Sequence, residues 1–232
     1  MIMGLASPAK SVIVPASYIL ERTMSNMPNF KELQRTDQQL ADHNVRGEFK
    51  DWTVEERQIY VQSKERDFSL ALMNVTGDLN TGVLIRTAHL MGVKQVLLFG
   101  RNRFDRRSTV GAENYTTVHT FGGLREDLTV DPEVFKGAMD ELGLCPVFVE
   151  TGEFCVTQVD FRNVRQTVER PLCFVLGNEG RGIDDSILAT KSHFNGSFNV
   201  SIPMVGVMRS YNVANAGAMV MFEYCRQMYG SC

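Results

Sequence analysis

The stretch Ile202-Pro203-Met204, continued by Gly206 and by Ser210-Tyr211-Asn212-Val213, joins a short apolar run to a long apolar segment. The run at residues 198–202 predicts a buried strand, and residues 211–228 predict a helix because their apolar side chains recur at helical spacing. A second loop, rich in glycine, occupies residues 177–182 and follows another apolar run at residues 172–176. Two such loops, each leaving a buried strand, indicate two neighbouring ligand-binding loops on one sheet.

Strand-like and helix-like segments also alternate upstream of these loops. Further strands are predicted at residues 68–75, 95–99, 116–119 and 146–149, and further helices at residues 81–91 and 132–142. Most of the strands are continuous apolar runs, which is typical of a sheet that helices cover on both faces. The predicted fold is therefore α/β with a mainly parallel sheet.

Residues 1–66 differ from the rest of the chain, because they contain its only tryptophan and few long apolar runs. Helices are predicted there at residues 29–40 and 54–64, and Thr53 with Glu56 has the spacing of a capping box. We therefore expect a helical or irregular N-terminal extension at residues 1–66 and one main domain at residues 67–232.

The composition is that of an ordinary soluble protein, with 44% hydrophobic residues, 22% charged residues and a net charge of −3. This charge argues against a surface coated in basic residues, although it allows a local basic patch. The five cysteines form no CxxC pair and lie apart from the histidines, so we expect no metal site and a reducing compartment. No apolar run approaches the roughly 20 residues of a membrane span. We expect a cytoplasmic protein, with an organellar or nuclear location as the alternative.

Three loops are expected at the carboxyl ends of strands, where parallel sheets bind their ligands. They are residues 76–86, 177–182 and 203–212. The second contains Gly177, Gly180 and Gly182, which allow a ligand to approach the backbone closely. Its spacing matches neither a dinucleotide fingerprint nor a P-loop, so a tight turn before a helix is the alternative. Glu179 is then either a functional carboxylate or an exposed turn residue.

The polar residues of the other two loops have structural interpretations as well. Ser210 would cap the long helix, with Asn212 in its first turn, and Asn80 would cap the helix at residues 81–91. Arg86 on that helix would be an ordinary surface charge. From these residues alone, the structural and functional interpretations both stay open.

Four arginines lie within seven residues after the strand at residues 95–99: Arg101, Arg103, Arg106 and Arg107. The planar guanidinium group suits the oxygens of a phosphate, so this run is a candidate for binding a nucleic-acid backbone. The alternative is a solvated loop in which the arginines form ion pairs.

Taken together, these segments resemble the three ordered motifs of the SpoU–TrmH family of SPOUT RNA methyltransferases. The first motif is matched by residues 80–88 with Gly92, the second by residues 174–183, and the third by the stretch quoted at the outset. The connecting residues 108–112 are similar too, and the resemblance extends over residues 68–228. It implies that the sheet carries a deep trefoil knot at its C-terminal end.

The resemblance also implies an activity, which is methyl transfer to a ribose 2′-hydroxyl of tRNA or rRNA. It implies S-adenosylmethionine as cofactor, RNA as partner, and a homodimer with active sites near the subunit interface. The residues that match catalytic positions are Arg86, Asn80, Glu179, Ser210 and Asn212. Those expected to border the cofactor are Leu176, Gly177, Asn178, Gly180, Ile202, Met204, Ser210 and Tyr211.

Two roles are open for Arg86 within this resemblance. It is either a base activated by the substrate phosphate or a clamp for that phosphate, and the first is costly because arginine has a pKa above about 12. Tyr211 stands where the family commonly has leucine, and residues 1–66 do not resemble the small RNA-binding domain of some relatives. A catalytically inactive RNA-binding protein of the same fold is the alternative function.

Overall fold

The computed structural model describes residues 44–101 and 103–230. Its strands are β1 Arg66–Met73, β2 Val93–Phe99, β3 Thr117–Phe121, β4 Cys145–Cys155, β5 Leu172–Leu176 and β6 Phe198–Ser201. They form one six-stranded sheet in the order β3-β2-β1-β5-β4-β6, and every neighbouring pair is parallel. The prediction of an α/β fold with a parallel sheet is confirmed.

The helices in the described part of the chain are α1 Val54–Ser63, α2 Asp78–Leu90, α3 Arg106–Thr109, α4 Pro132–Glu141, α5 Phe161–Thr167, α6 Asp185–Leu188 and α7 Val213–Tyr229. The capping box predicted for α1 is present, because the Thr53 side chain accepts from the Glu56 N–H and the Glu56 side chain accepts from the Thr53 N–H. Helix α5 was not predicted from the sequence. The helix predicted at residues 29–40 lies outside the described residues. None of the described helices is long and apolar enough to cross a membrane.

The sheet is buried on both faces, which explains why its strands are continuous apolar runs. In β1, Phe68, Leu70 and Leu72 belong to one core cluster together with residues of α2 and α7. Ala71 and Met73 belong to a second cluster on the other face, together with residues of α4 and α6. Because successive side chains of a strand point to opposite faces, a strand between two helical layers is apolar at most positions, and Ser69 is the buried polar exception in β1.

Strand order decides which loops meet at the carboxyl edge of the sheet. β1 and β5 are neighbours, and Leu72 of β1 pairs with Leu176 of β5. The loop that follows β5 therefore lies beside the loop that follows β1, although the two are about a hundred residues apart in sequence. The trefoil knot and the domain division at residue 67 stay predictions.

Candidate active site

The carboxylate of Glu179 joins the loop after β5 to the loop after β1. Its Oε2 atom accepts hydrogen bonds from the backbone N–H and the hydroxyl of Thr76, both at 3.0 Å. Its Oε1 atom accepts from the N–H of Gly77 at 3.1 Å and from Nδ2 of Asn80 at 3.0 Å. Four hydrogen bonds thus attach the second motif to the loop after β1, and one of them reaches Asn80 of the first motif.

These bonds decide the protonation state of Glu179. Burial alone would raise the pKa of the carboxyl, because desolvation disfavours the charged form. The hydrogen bonds from Thr76, Asn80 and Gly77 outweigh burial and lower the pKa from 4.5 to about 2. Since the carboxylate is ionised at neutral pH and both oxygens are engaged, Glu179 is a poor proton acceptor and acts as a tie between loops.

We expect the Glu179→Gln variant to be less stable than the unaltered protein at neutral pH. The difference in the free energy of unfolding should shrink in acid. The folded pKa lies below the unfolded one, so ionised Glu179 stabilises the fold above about pH 4.5 and loses that contribution as the pH falls toward about 2. At neutral pH, a glutamine leaves a backbone donor unpaired, at a cost of about 1–3 kcal/mol. Urea unfolding at about pH 7 and about pH 3 measures the difference. An equal difference at both pH values would contradict this assignment.

Asn212 joins the third motif to the same network. Its Nδ2 atom donates to Oδ1 of Asn80 at 3.1 Å. Its Oδ1 atom accepts from the N–H groups of Ala214 and Asn215, at 2.9 and 3.4 Å, so the side chain also caps α7. The structural interpretation from sequence placed the cap at Ser210 and was wrong by two residues. The cap and the site contact are made by one side chain, because its amide has both a donor and an acceptor.

The glycine-rich loop is a tight turn as well as part of the site. The N–H of Asn178 donates to the carbonyl of Gly182, and the N–H of Gly182 donates to the carbonyl of Asn178, each at 2.8 Å. A Cβ atom on Gly177 would lie 2.3 Å from the carbonyl carbon of Gly182, so this close return of the backbone requires glycine. The Asn178 side chain donates to the carbonyl of Asn74 at 2.7 Å, which fixes the turn against the loop after β1.

A cavity of about 450 Å³ opens between this turn, the end of β6 and the start of α7. All eight residues predicted to border the cofactor line it: Leu176, Gly177, Asn178, Gly180, Ile202, Met204, Ser210 and Tyr211. The volume lies within the range of about 300–1,000 Å³ that is typical of small-molecule sites. In the described part of the chain, no group of three or more His, Cys, Asp or Glu side chains is arranged to hold a metal ion.

Residues 203–212 form an exposed loop that closes one side of this cavity. The hydroxyl of Tyr211 donates to the carbonyl of Pro203 at 2.8 Å, and Nη2 of Arg209 donates to the carbonyl of Gly180 at 3.2 Å. Val205 and Val207 at its tip are fully exposed. The loop is therefore held at its base and presents apolar side chains outward.

Arg86 lies apart from the other predicted catalytic residues. It follows Asn80 by six positions on α2, which rotates it by about 240° around the helix and moves it about 9 Å along the axis. Glu179 and Ser210 line the 450 Å³ cavity, whereas Arg86, Asn80 and Asn212 of the same chain do not. Arg86 lines a second cavity of about 330 Å³. The structure thus brings Asn80, Glu179 and Asn212 into one network beside Ser210, and separates Arg86 from them.

The arginine run lies on the surface between β2 and β3. Arg107 forms a two-pronged ion pair with Asp105, with its Nη2 atom 2.7 Å from Oδ2. Arg101 is 3.8 Å from Asp78, and the Nε atom of Arg106 is 3.9 Å from Glu113. Arg103 is exposed. Three of the four guanidinium groups therefore have a carboxylate partner, as the structural interpretation of the run expected.

Several residues that build the site carry no signal in the sequence. Thr76 contributes its N–H and its hydroxyl, and Gly77 contributes its N–H at a position where a Cβ atom would lie only 2.7 Å from Nδ2 of Asn80. Glu150 accepts a hydrogen bond from the N–H of Ile183 at 3.1 Å and so supports the glycine turn from β4. Only the order of the strands reveals these contacts.

The fold and the site define an α/β protein with a ligand cavity at the carboxyl edge of a parallel sheet. The sequence model of the SpoU rRNA Methylase family matches residues 67–222. This is more than half of the 232 residues, and the chain therefore belongs to that family.

Individual relatives agree with this membership. A tRNA (guanosine(18)-2'-O)-methyltransferase of Escherichia coli (strain K12) is 26% identical over 167 residues, which cover 71% of this chain. The match spans 65% of the length of that relative. Among solved structures, the SpoU methyltransferase AviRb from Streptomyces viridochromogenes in complex with AdoMet is 25% identical, with a TM-score of 0.53 over 70% of this chain and 58% of that one. The A. aeolicus TrmH/SpoU tRNA modifying enzyme shares the fold at 20% identity, with a TM-score of 0.57 over 75% of this chain and 83% of that one.

Proposed function

We propose that this protein is an S-adenosylmethionine-dependent methyltransferase that methylates a ribose 2′-hydroxyl of tRNA or rRNA. The observation that carries the proposal is the hydrogen-bonded network of Asn80, Glu179 and Asn212, which joins all three motifs beside one cavity. Membership of the SpoU family and the names of its relatives support the same activity.

The 450 Å³ cavity suits S-adenosylmethionine in its chemistry. Leu176, Ile202 and Met204 offer apolar walls for an adenine ring, whereas the turn at residues 177–182 offers backbone groups. Glycine at position 177 leaves that backbone uncovered. When bound, the cofactor supplies an electrophilic methyl group on a sulfonium. A relative at 25% identity carries AdoMet in its solved structure.

The residues of this chain would align the substrate rather than supply a strong base. Methyl transfer would yield the 2′-O-methyl ribose, S-adenosylhomocysteine and one proton, which would pass to solvent water because the low pKa of Glu179 makes that carboxylate a poor acceptor. We assign Glu179, Asn80 and Asn212 to holding the loops and Ser210 to the ribose side of the cavity. Arg86 is assigned to the phosphate beside the target ribose, because a guanidinium binds phosphate without losing its proton.

We further propose a homodimer in which Arg86 of one protomer serves the cavity of its partner. On α2, Arg86 stands within a stripe of exposed apolar residues, with Leu79 60% exposed, Val83 42% and Leu90 73%. The positions 79, 83, 86 and 90 repeat at helical spacing, so they share one face. On α7, Phe222 is also exposed. Such an exposed apolar face, together with an Arg86 that does not line the cavity of its own chain, favours packing of a second copy of this chain against the face.

The arginine run would contact the RNA backbone outside the reacting nucleotide. Arg101 and Arg103 are exposed, and ion pairs of exposed groups are weak enough for a phosphate to compete with them. We also propose a cytoplasmic protein, because Cys145, Cys155 and Cys173 form no disulfide among the described residues, which fits a reducing compartment.

Transfer of a labelled methyl group from S-adenosylmethionine to RNA tests the activity. We expect incorporation into a total pool of tRNA or rRNA from a source that lacks the modification, and resistance of the methylated nucleotide to alkaline cleavage. Incorporation into bases instead of riboses would contradict the proposal. RNA binding without incorporation into any pool would favour the inactive RNA-binding protein of the same fold.

A further inference from the structure

The second cavity, of about 330 Å³, lies between residues 44–66, the C-terminal half of α2 and residues 109–115. Five cationic side chains line it: Arg46, Arg57, Lys64, Arg66 and Arg86. No carboxylate of the described residues lines it. In a chain with a net charge of −3, this is a marked local concentration of positive charge, and it favours an anionic ligand.

The walls of this cavity are already held together. The guanidinium group of Arg57 is buried and donates to the carbonyls of Phe49 and Lys50, both at 2.9 Å, and to the Tyr115 hydroxyl at 3.2 Å. Nε2 of Gln58 donates to the carbonyl of Asn114 at 2.9 Å. These contacts fasten α1 and the turn before it onto the segment after α3, so the cavity does not need a ligand to form.

Two nearby carboxylates have partners other than Lys64 and Arg86. Glu48 forms an ion pair with Arg46 at the rim. Glu113 accepts a hydrogen bond from the Thr109 hydroxyl and lies 3.9 Å from Nε of Arg106. Neither carboxylate lines the cavity, and neither forms an ion pair with Lys64 or Arg86.

Aromatic rings stand beside the cations. Nζ of Lys64 lies 5.6 Å from the centre of the Tyr60 ring, and Cζ of Arg46 lies 5.4 Å from that of Phe49. The His89 and Tyr115 rings are 5.9 Å apart, and Nδ1 of His89 is buried with no hydrogen-bond partner among the described residues. Rings that stack on bases, placed next to cations that bind phosphates, are how proteins hold single-stranded RNA.

We propose that this cavity binds one nucleotide of the RNA substrate, with its phosphate held by Lys64 and Arg86 and its base packed against Tyr60 or Tyr115. The inference rests on the proposed function, because it names a subsite for the RNA on which that function acts. Arg86 connects the subsite to the proposed reaction, since it lines this cavity and is assigned to the phosphate beside the target ribose. Tyr60 and Lys64 precede residues 67–222, the part matched by the family model, so this subsite uses a segment outside the family motifs.

Binding of a fluorescein-labelled single-stranded oligouridylate to the full chain at low salt tests the subsite without any methyl transfer. The variants are Tyr60→Leu, which keeps apolar volume but removes the ring, and Lys64→Ala. Lys136→Ala is the matched control, because it removes one positive charge on α4, outside the cavity. We expect about tenfold weaker binding for Tyr60→Leu. For Lys64→Ala we expect weaker binding and a salt dependence whose slope falls by about one, with the control unchanged.

Affinity for S-adenosylmethionine, measured by calorimetry, should be the same in all four proteins. Normal RNA binding by both cavity variants, no binding by the unaltered chain, or an equal loss in Lys136→Ala would each overturn the subsite.

A second measurement uses 4-thiouridine in the oligonucleotide. Crosslinks to peptides from residues 44–66 or 109–115 support the proposal, and crosslinks confined to residues 101–107 contradict it. The cavity variants could lose RNA binding while the unaltered chain transfers no methyl group. That result would support the subsite and refute the proposed activity.

Discussion

The Gly177→Ala variant is expected to lose cofactor binding and to unfold more easily than the unaltered protein, by about 2–4 kcal/mol. Its new Cβ atom would lie 2.3 Å from the carbonyl carbon of Gly182 and 2.6 Å from both the carbonyl oxygen of Gly182 and the nitrogen of Ile183. All three neighbours are backbone atoms, so no side chain can rotate away to relieve the contact. The turn has to open, and the paired hydrogen bonds between Asn178 and Gly182 break with it.

Urea unfolding and calorimetric titration with S-adenosylmethionine measure the two effects. Gly180→Ala is the matched comparison for stability, because it lies in the same turn and its Cβ atom would meet only Oδ1 of Asn178, at an ordinary 3.4 Å. We expect this second variant to change the free energy of unfolding by less than about 1 kcal/mol. If Gly177→Ala is as stable as Gly180→Ala, the turn is not as closely packed as the structure has it.

The parallel sheet could be predicted because its strands are short apolar runs with a helix between most of them. β5 was placed at residues 172–176, as the structure has it. The short helix α5 was missed, although Asp160 caps it by accepting from the N–H groups of Arg162 and Asn163. Seven residues are too few for a helical period to stand out, so the cap was its only signal.

The contacts of the site depended on tertiary structure that the sequence does not display. Polar residues at strand ends pointed to the correct edge of the sheet. That Glu179 would bind the N–H groups of Thr76 and Gly77 followed only from the adjacency of β1 and β5. The separation of Arg86 from Asn80 could have been predicted, because six residues on a helix place two side chains on different faces.

Replacing Arg86 by alanine is expected to lower kcat/KM for RNA methylation by at least about a hundredfold, with affinity for S-adenosylmethionine unchanged. The loss follows from removal of the phosphate clamp, and the unchanged affinity follows because Arg86 does not line the cofactor cavity of its own chain. Arg86→Lys is expected to be intermediate, since lysine keeps the charge but lacks the planar fork. Full activity in Arg86→Ala would refute the assigned role.

Mixing two inactive variants shows whether Arg86 acts at the cavity of its own chain or at the cavity of its partner. The partner variant is Ala216→Phe, whose larger side chain fills the cofactor cavity, which Ala216 lines and Arg86 of the same chain does not. If Arg86 acts on its partner, a mixed dimer contains one complete site: the intact cavity comes from the Arg86→Ala chain and the intact arginine from the Ala216→Phe chain. Random pairing of equal amounts makes half of the dimers mixed, so activity should return to about one quarter of the unaltered level. If Arg86 acts within its own chain, no pairing restores a complete site, and a mixture without activity would therefore contradict the dimer proposed from the exposed face of α2.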